Sequence, residues 1–181
     1  MPVYTKVQSY AVSVLRNLRS VRHDQMHWLI GREYPNAKVP PAAEMRRLVY
    51  LGKAVNDGKH YCWPGCALDA ELIIALDVMI KAAGGDNPLF ELKGAPCKLS
   101  FSVIKDEKNL ACSVFFPKPG EERETAAAVV VLPPGQTAVI HLESLRQMPL
   151  FSIKRPHIFV RSLGDDEYEY IKPDTRSEVK A

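Results

Sequence analysis

The segment 40–63, PPAAEMRRLVYLGKAVNDGKHYCW, decides how the first third of this 181-residue chain folds. It begins with Pro40 and Pro41, which suit the first turn of a helix because the N–H group that proline lacks would have no partner there. Apolar residues then recur at helical spacing as far as Gly52. Two short apolar stretches follow and flank Asn56-Asp57-Gly58, which tolerates the positive backbone angles of a tight turn. The segment therefore predicts a helix followed by a two-stranded hairpin.

Two further helices are predicted before this segment. Residues 9–18 carry apolar side chains on one helical face. Residues 21–34, VRHDQMHWLIGREY, carry a second apolar stripe, and Asp24 falls in the first turn, where the helix dipole favours a negative charge. Pro35-Asn36 ends this second helix. Three helices and a hairpin in this order are typical of a winged helix-turn-helix, whose third helix enters the major groove of DNA.

Basic side chains are concentrated in the same part of the chain. Residues 1–66 contain ten Lys and Arg against four Asp and Glu, and the remainder contains fourteen against seventeen. Such an excess attracts polyanions even though the whole chain has a net charge of only +3. We therefore expect double-stranded DNA as the partner. The alternative is that the same fold mediates dimerisation or protein interaction and that these cations form a solvated face.

Eight basic side chains are the candidate DNA contacts. Those on or just before the third helix would reach base edges or phosphates, and they are Lys38, Arg46 and Arg47. Those on the hairpin would reach the DNA backbone, and they are Lys53, Lys59 and His60. Those at the start of the second helix would also contact phosphate, and they are Arg22 and His23.

A second domain is predicted over residues 67–173, after a first domain over 1–66 and before a frayed tail over 174–181. It begins with a buried helix that Asp69 caps and Gly84-Gly85 ends. The stretches CKLSFSVI and NLACSVFFP alternate in polarity and predict a strand hairpin across the turn 106–108, and KPGEERET predicts a loop or single helical turn. The run AAAVVVL predicts a buried strand. Residues 136–146 fit a short helix slightly better than a strand. The stretches HIFVRSL and EYEYIKP predict a last hairpin across 164–166. The expected fold is α+β, a winged helix-turn-helix followed by a small mixed α/β domain.

The element order of this second domain resembles the core of restriction-endonuclease-like nucleases. Such enzymes hold a divalent metal with an acid on a central strand and a Glu-x-Lys on the next. Here Glu91-Leu92-Lys93 is expected to precede the strands, and 126–132 contains no acid. We therefore expect no catalytic residue, metal or cofactor, although a degenerate nuclease remains an alternative. The acids near expected strand ends would then be Glu71, Asp106, Glu121 and Glu122.

Other motifs favour structural roles. His23 and His27 have the i, i+4 spacing of a zincin, but Asp24 stands where that motif has glutamate and no third ligand is identifiable. His60, Cys62 and Cys66 lack the spacing of a zinc ribbon, so the four cysteines are expected to be reduced thiols. The sequence has no glycine-rich phosphate loop, no secretory signal and no apolar run of membrane-spanning length. A soluble, cytoplasmic protein that does not contact membrane is expected.

Three stretches together resemble a known kind of protein: VLRNLRSVRHDQMHWLI, AEMRRLVYLGKAV and NDGKHYCW. They are similar to the winged helix of the replication-relaxation proteins and of a related uncharacterised family of Gram-positive conjugative transposons and other mobile elements. In that family a winged helix precedes a small α/β domain that ends in a hairpin. The resemblance implies a DNA-binding accessory or regulatory role in replication, transfer or transcription, with the α/β domain forming a homodimer or binding a protein partner. It carries over no active-site residue.

Overall fold

The computed structural model describes residues 4–105, 107–164 and 166–173. The chain is an α+β protein that divides into two compact units, Met1–Asn87 and Pro88–Ala181. This division falls after Asn87, whereas the sequence placed the boundary after residue 66, and the helix between the two positions lies in the first unit. The predicted tail 174–181 and the candidate acid Asp106 lie outside the described residues. In the part of the chain that is described, no helix is long and apolar enough to cross a membrane.

The first unit consists of four helices and a small antiparallel sheet. Its elements in chain order are α1 (Lys6–Leu18), β1 (Ser20–Arg22), α2 (His23–Glu33), α3 (Pro41–Tyr50), β2 (Val55–Asn56), β3 (His60–Cys62) and α4 (Ala70–Ala83). Strand β3 lies between β1 and β2, and both pairings are antiparallel. The predicted third helix and hairpin are thereby confirmed, as is the helix that Asp69 caps.

Strand β1 is an element that the helical periodicity did not predict. Helix α1 ends at Arg19, whose backbone has a positive φ of 67° and therefore cannot continue the helix. Residues 20–22 then pair with β3, so that α2 begins at His23, two residues later than predicted. The pairing partner lies forty residues away in sequence, at Cys62 and its neighbours, and no local pattern reports it.

A buried polar cluster joins β1, α2 and α4. The Arg22 guanidinium donates two hydrogen bonds to the Asp77 carboxylate, of 2.7 and 2.9 Å, and two more to Asp24, both of 2.9 Å. The Gln25 side chain accepts from the Arg22 N–H and donates to Asp77 Oδ1 and to the Ile73 carbonyl oxygen. Because an unpaired buried charge is costly, these bonds tie α4 to the rest of the unit.

A second buried contact fixes the start of α3 to α1. The Glu44 carboxylate accepts a 2.7 Å hydrogen bond from the Gln8 amide and a 3.3 Å hydrogen bond from the Thr5 hydroxyl. Thr5 is also the N-cap of α1, where its side chain accepts from the Gln8 N–H. The same few groups therefore cap one helix and anchor the next, which fixes the direction in which α3 leaves the turn.

The second unit is a six-stranded mixed sheet with one α-helix and one 3-10 helix. Its elements are β4 (Leu89–Leu92), β5 (Cys97–Lys105), β6 (Lys108–Phe115), α5 (Glu122–Val130), β7 (Gln136–Leu142), the 3-10 helix Leu145–Leu150, β8 (His157–Gly164) and β9 (Glu167–Ile171). The strands lie in chain order across the sheet. The pairs β6–β7 and β7–β8 are parallel, and the other pairs are antiparallel. The two predicted hairpins are confirmed as β5–β6 and β8–β9.

Two predictions for this unit were wrong. The run AAAVVVL lies in and just after helix α5, where Val129 is buried but Val131 is 81% exposed, so only one stripe of the apolar run faces the core. The stretch 136–142 is strand β7, with Ala138, Val139 and Ile140 all buried in the middle of the sheet. A connection between parallel strands such as β6 and β7 must cross over the sheet, and a helix is its usual form. Because of that long-range requirement, the first stretch is helix α5 and the second is strand β7, whereas the local pattern predicted a strand and then a helix.

The two carboxylates that bind Arg22, those of Asp77 and Asp24, are expected to contribute unequally to stability. Substituting Asp77→Ala is expected to lower the free energy of unfolding by about 3 kcal/mol, because the buried guanidinium loses the more buried of its two carboxylate partners. Asp24→Ala is the matched control, and it should cost about 1 kcal/mol or less, because the Asp24 side chain is 68% exposed. Urea unfolding followed by tryptophan fluorescence reports on this unit, since both tryptophans, Trp28 and Trp63, lie in it. Equal losses for the two variants would contradict the assignment.

Candidate nucleic-acid interface

Helix α3 presents an exposed basic stripe. Its Met45 and Leu48 are fully buried, which turns Arg46 and Arg47 outward. Among the described residues neither arginine has a carboxylate partner within ion-pair distance. Lys38, in the turn that precedes α3, is also exposed, and no described carboxylate lies within ion-pair distance of it. The structure therefore brings the three cations predicted for the third helix to solvent with no competing anion.

The stripe extends to a residue that the sequence reasoning missed. Tyr50 follows Arg46 by four positions and Arg47 by three, so the three side chains share one face of the helix. Tyr50 is 89% exposed, which is unusual for so large an aromatic side chain. Its position in the helical repeat of the two arginines was the signal that could have identified it.

The hairpin β2–β3 carries cations and one persistent negative charge. Lys53 and Lys59 are exposed, and the Nδ1 atom of His60 lies 3.1 Å from the Asp57 carboxylate. Hydrogen bonds from the backbone N–H groups of Lys59 and His60 lower the pKa of Asp57 to about 2. Asp57 is therefore ionised at neutral pH, so His60 is already engaged and the tip is less positive than its lysines alone suggest.

Asn56 and His23 join the hairpin to helix α2. The Asn56 Oδ1 atom lies 2.9 Å from His23 Nε2 and accepts a 2.9 Å hydrogen bond from the Gly58 N–H. The His23 ring also packs on Tyr61 of β3, with ring centroids 4.1 Å apart. His23 was predicted to contact phosphate, but these contacts give it a structural role at the base of the hairpin. Asn56, which the sequence reasoning used only as a turn residue, supplies the joint.

Arg22 does not belong to the exposed set. It was predicted to contact phosphate from the start of the second helix, but it is only 6% exposed and its guanidinium is bound by Asp77 and Asp24. The hydrogen bond with Asp24 raises the pKa of Arg22 further and lowers that of Asp24. Arg22 is therefore a structural cation, and the contact set contracts to α3, the turn before it and the hairpin.

Helix α3 and the hairpin are electrostatic neighbours. Burial raises the pKa of the Tyr61 phenol in β3, and the positive charge of Arg46 on α3 opposes that rise. The charge of Arg46 therefore reaches the strand that follows the hairpin turn.

The described acids that were considered for catalysis form no metal-binding group. In the described part of the chain, no group of three His, Cys, Asp or Glu side chains is placed to hold a metal ion. Glu91 lies in the edge strand β4, and not before the strands as predicted, and it pairs with Lys93. The Glu122 carboxylate is turned back onto its own helix terminus, where it accepts a 2.9 Å hydrogen bond from the Gly120 N–H. Glu71 lies in the first turn of α4, in the other unit, and Glu121 is the residue before α5.

The histidine pair and the cysteines have separate surroundings. His23 Nε2 contacts Asn56, whereas His27 Nε2 is buried and has no hydrogen-bond partner among the described residues. All four cysteines are free thiols in the structure. Burial raises the pKa of Cys62, and it raises that of Cys112 to about 11, so these two thiols remain protonated at neutral pH.

The buried His27 nitrogen predicts a pH dependence of stability. Burial lowers the pKa of His27 below its usual 6.5, and the nearby His23 lowers it further. Protonation therefore favours the unfolded chain, and stability should fall as the pH decreases through 6.5. Urea unfolding between about pH 7.5 and about pH 5.5 should show a loss of stability that is smaller in His27→Gln, which does not titrate. An identical loss in both proteins would show that His27 is not its source.

No protein-family model matches this chain, and no curated protein matches it at a significant level.

Proposed function

We propose that the first unit is a winged helix-turn-helix that binds double-stranded DNA through α3 and the β2–β3 hairpin. The order α1, β1, α2, α3, β2, β3 and the pairing of β1 with β3 support this proposal. The observation that carries it is that Arg46 and Arg47 on the third helix face outward and have no carboxylate partner among the described residues. An arginine in this position can donate two hydrogen bonds to a guanine edge or contact phosphate.

The contrast with Arg22 strengthens the argument. The buried guanidinium of Arg22 is bound by two carboxylates, those of Asp77 and Asp24. On α3, by comparison, the nearest acidic position in sequence is Glu44, whose carboxylate is buried against Gln8 and Thr5. The acid of this helix is thereby turned inward and its two arginines outward. A polyanion approaching α3 therefore meets two arginines that form no ion pair with any described carboxylate.

For the whole chain we propose a non-catalytic accessory or regulatory role in the replication, transfer or transcription of a mobile genetic element. The resemblance of residues 14–30 and 43–63 to the replication-relaxation proteins and the related mobile-element family supports this role. The second unit would then form a homodimer or bind a protein partner. Its strand order β4-β5-β6-β7, with α5 between the parallel strands β6 and β7, supports a distant likeness to restriction-endonuclease-like cores. Its described acids offer no donor set for a metal.

A protein-interaction role for the first unit is the second candidate, and one observation favours it. Tyr50, Leu51 and Val55 are exposed apolar side chains at the end of α3 and the start of the hairpin. Apolar groups on a surface stripe can dock a protein as well as contact DNA. The two functions differ in their dependence on salt, because DNA binding releases counterions and weakens steeply as salt increases.

The central prediction concerns the two exposed arginines. Arg46→Ala with Arg47→Ala is expected to weaken binding to random duplex DNA and to reduce the slope of log K against log salt by about 1.8. Fluorescence anisotropy at several salt concentrations between ~50 mM and ~200 mM measures both effects. Lys105→Ala with Lys118→Ala, which removes the same charge from exposed positions of the other unit, is the matched control. An unchanged affinity and slope in the arginine variant would instead favour the protein-interaction role.

The acidic hairpin tip provides a gain-of-binding test. Asp57→Asn keeps an oxygen that can accept from the Lys59 and His60 N–H groups but removes the negative charge. Duplex affinity is expected to increase roughly twofold to fivefold near ~100 mM salt, because one like charge facing phosphate is lost. If the hairpin does not approach the DNA, the affinity of this variant will equal that of the unsubstituted protein.

A further inference from the structure

An open groove of about 1070 Å³ lies in the second unit, beside the beginning of β8 and the end of β9. The segment between the 3-10 helix and β8 forms much of its wall, with Phe151 and Lys154 among its residues. Phe159 lies beneath, and Lys172 stands at the margin after β9. None of these residues belongs to the surface that we propose for duplex DNA, which lies entirely in the first unit.

The groove has an aromatic wall that is held in place by the core. Phe159 is 3% exposed, and its ring centroid lies 5.5 Å from that of Phe151 and 5.0 Å from that of His157. Phe151 itself remains partly exposed and lines the groove. A ring supported in this way offers a flat apolar surface at little cost in side-chain entropy.

The charge of the groove has one sign. Lys154 and Lys172 are exposed, and the Arg155 guanidinium donates to the carbonyl oxygens of Val130, Leu132 and Pro133. No Asp or Glu occurs among the described residues that line it. Residues 88–173 as a whole contain eleven Lys and Arg and eleven Asp and Glu, so three cations without an acid are a local concentration. The groove therefore complements an anion that also has a flat apolar part.

We propose that this groove binds single-stranded nucleic acid, with one base against Phe151 and the flanking phosphates near Lys154 and Lys172. Sequence-tolerant binding of single strands combines these two features, an aromatic platform for the base and cations along the backbone. In a duplex the bases are already stacked on each other, so a ring in a groove wall cannot reach a base face. The chain would thus hold duplex DNA with its first unit and an unpaired strand with its second.

The test uses the full-length chain with Arg46→Ala and Arg47→Ala, so that the surface proposed for duplex DNA does not contribute. A fluorescent oligothymidylate of ~12 nucleotides, within the usual range of strand-binding sites, is expected to bind. Adding Phe151→Leu should weaken binding fivefold or more, whereas Phe151→Tyr, which keeps the ring, should not. Circular dichroism of both variants checks that the unit remains folded. Photocrosslinking of a 5-iodouracil oligonucleotide should label the peptide that contains residue 151.

The cations give an independent readout. Adding Lys154→Ala and Lys172→Ala is expected to reduce the slope of log K against log salt by about 1.4, the value for two phosphate contacts on a single strand. Lys105→Ala with Lys118→Ala is again the control of equal charge. The proposal is overturned if the oligonucleotide does not bind or if Phe151→Leu and Phe151→Tyr bind equally. It is also overturned if the control lysines matter as much as Lys154 and Lys172, or if thymidine monophosphate competes as well as the oligonucleotide.

Discussion

A guanidinium buried in a protein must be paired with negative charge, and the cluster at Arg22 meets that constraint with carboxylates from two other elements. Strand β1 supplies the cation, α2 supplies Asp24, and α4 supplies Asp77. The Gln25 side chain of α2 adds hydrogen bonds to Asp77 and to the Ile73 carbonyl oxygen of α4. The arrangement of α4 against the sheet and α2 therefore follows from a polar requirement as much as from the apolar core.

This use of charge separates the basic residues of the first unit into two kinds. One arginine is enclosed and holds elements together, and the arginines of α3 face solvent. Local composition does not distinguish Arg22 from Arg46 and Arg47, because each stands in a stretch of basic and apolar residues. What distinguishes them is the position of acids in the fold, since Asp77 comes from a helix more than fifty residues downstream of Arg22 in the chain. The DNA binding that we propose for this unit rests on the exposed arginines, Arg46 and Arg47.

Local pattern predicted the three helices, the β2–β3 hairpin, α4 and its cap, and the two hairpins of the second unit. These features depend on near neighbours, such as the repeat of apolar residues before Gly52 and the turn at Asn56-Asp57-Gly58. Pattern failed where a partner far along the chain decides the structure, at β1, at α5 and at β7. The same limit applies to the candidate interface, where Lys38, Arg46 and Arg47 are exposed as expected but Arg22 and His23 are held by residues that sequence spacing cannot place beside them.

The hydrogen bonds at Asn56 bear on how fast the proposed surface would capture a polyanion. A hairpin with strands of two and three residues would be only marginally ordered by itself. Here the contact of Asn56 with His23 and the turn bonds at Asp57 hold the hairpin through groups of the unit itself. The entropy of ordering is therefore lost during folding and not on encounter. Capture of a polyanion by this surface would then be limited by diffusion and long-range charge attraction, without a slow conformational step between collision and docking.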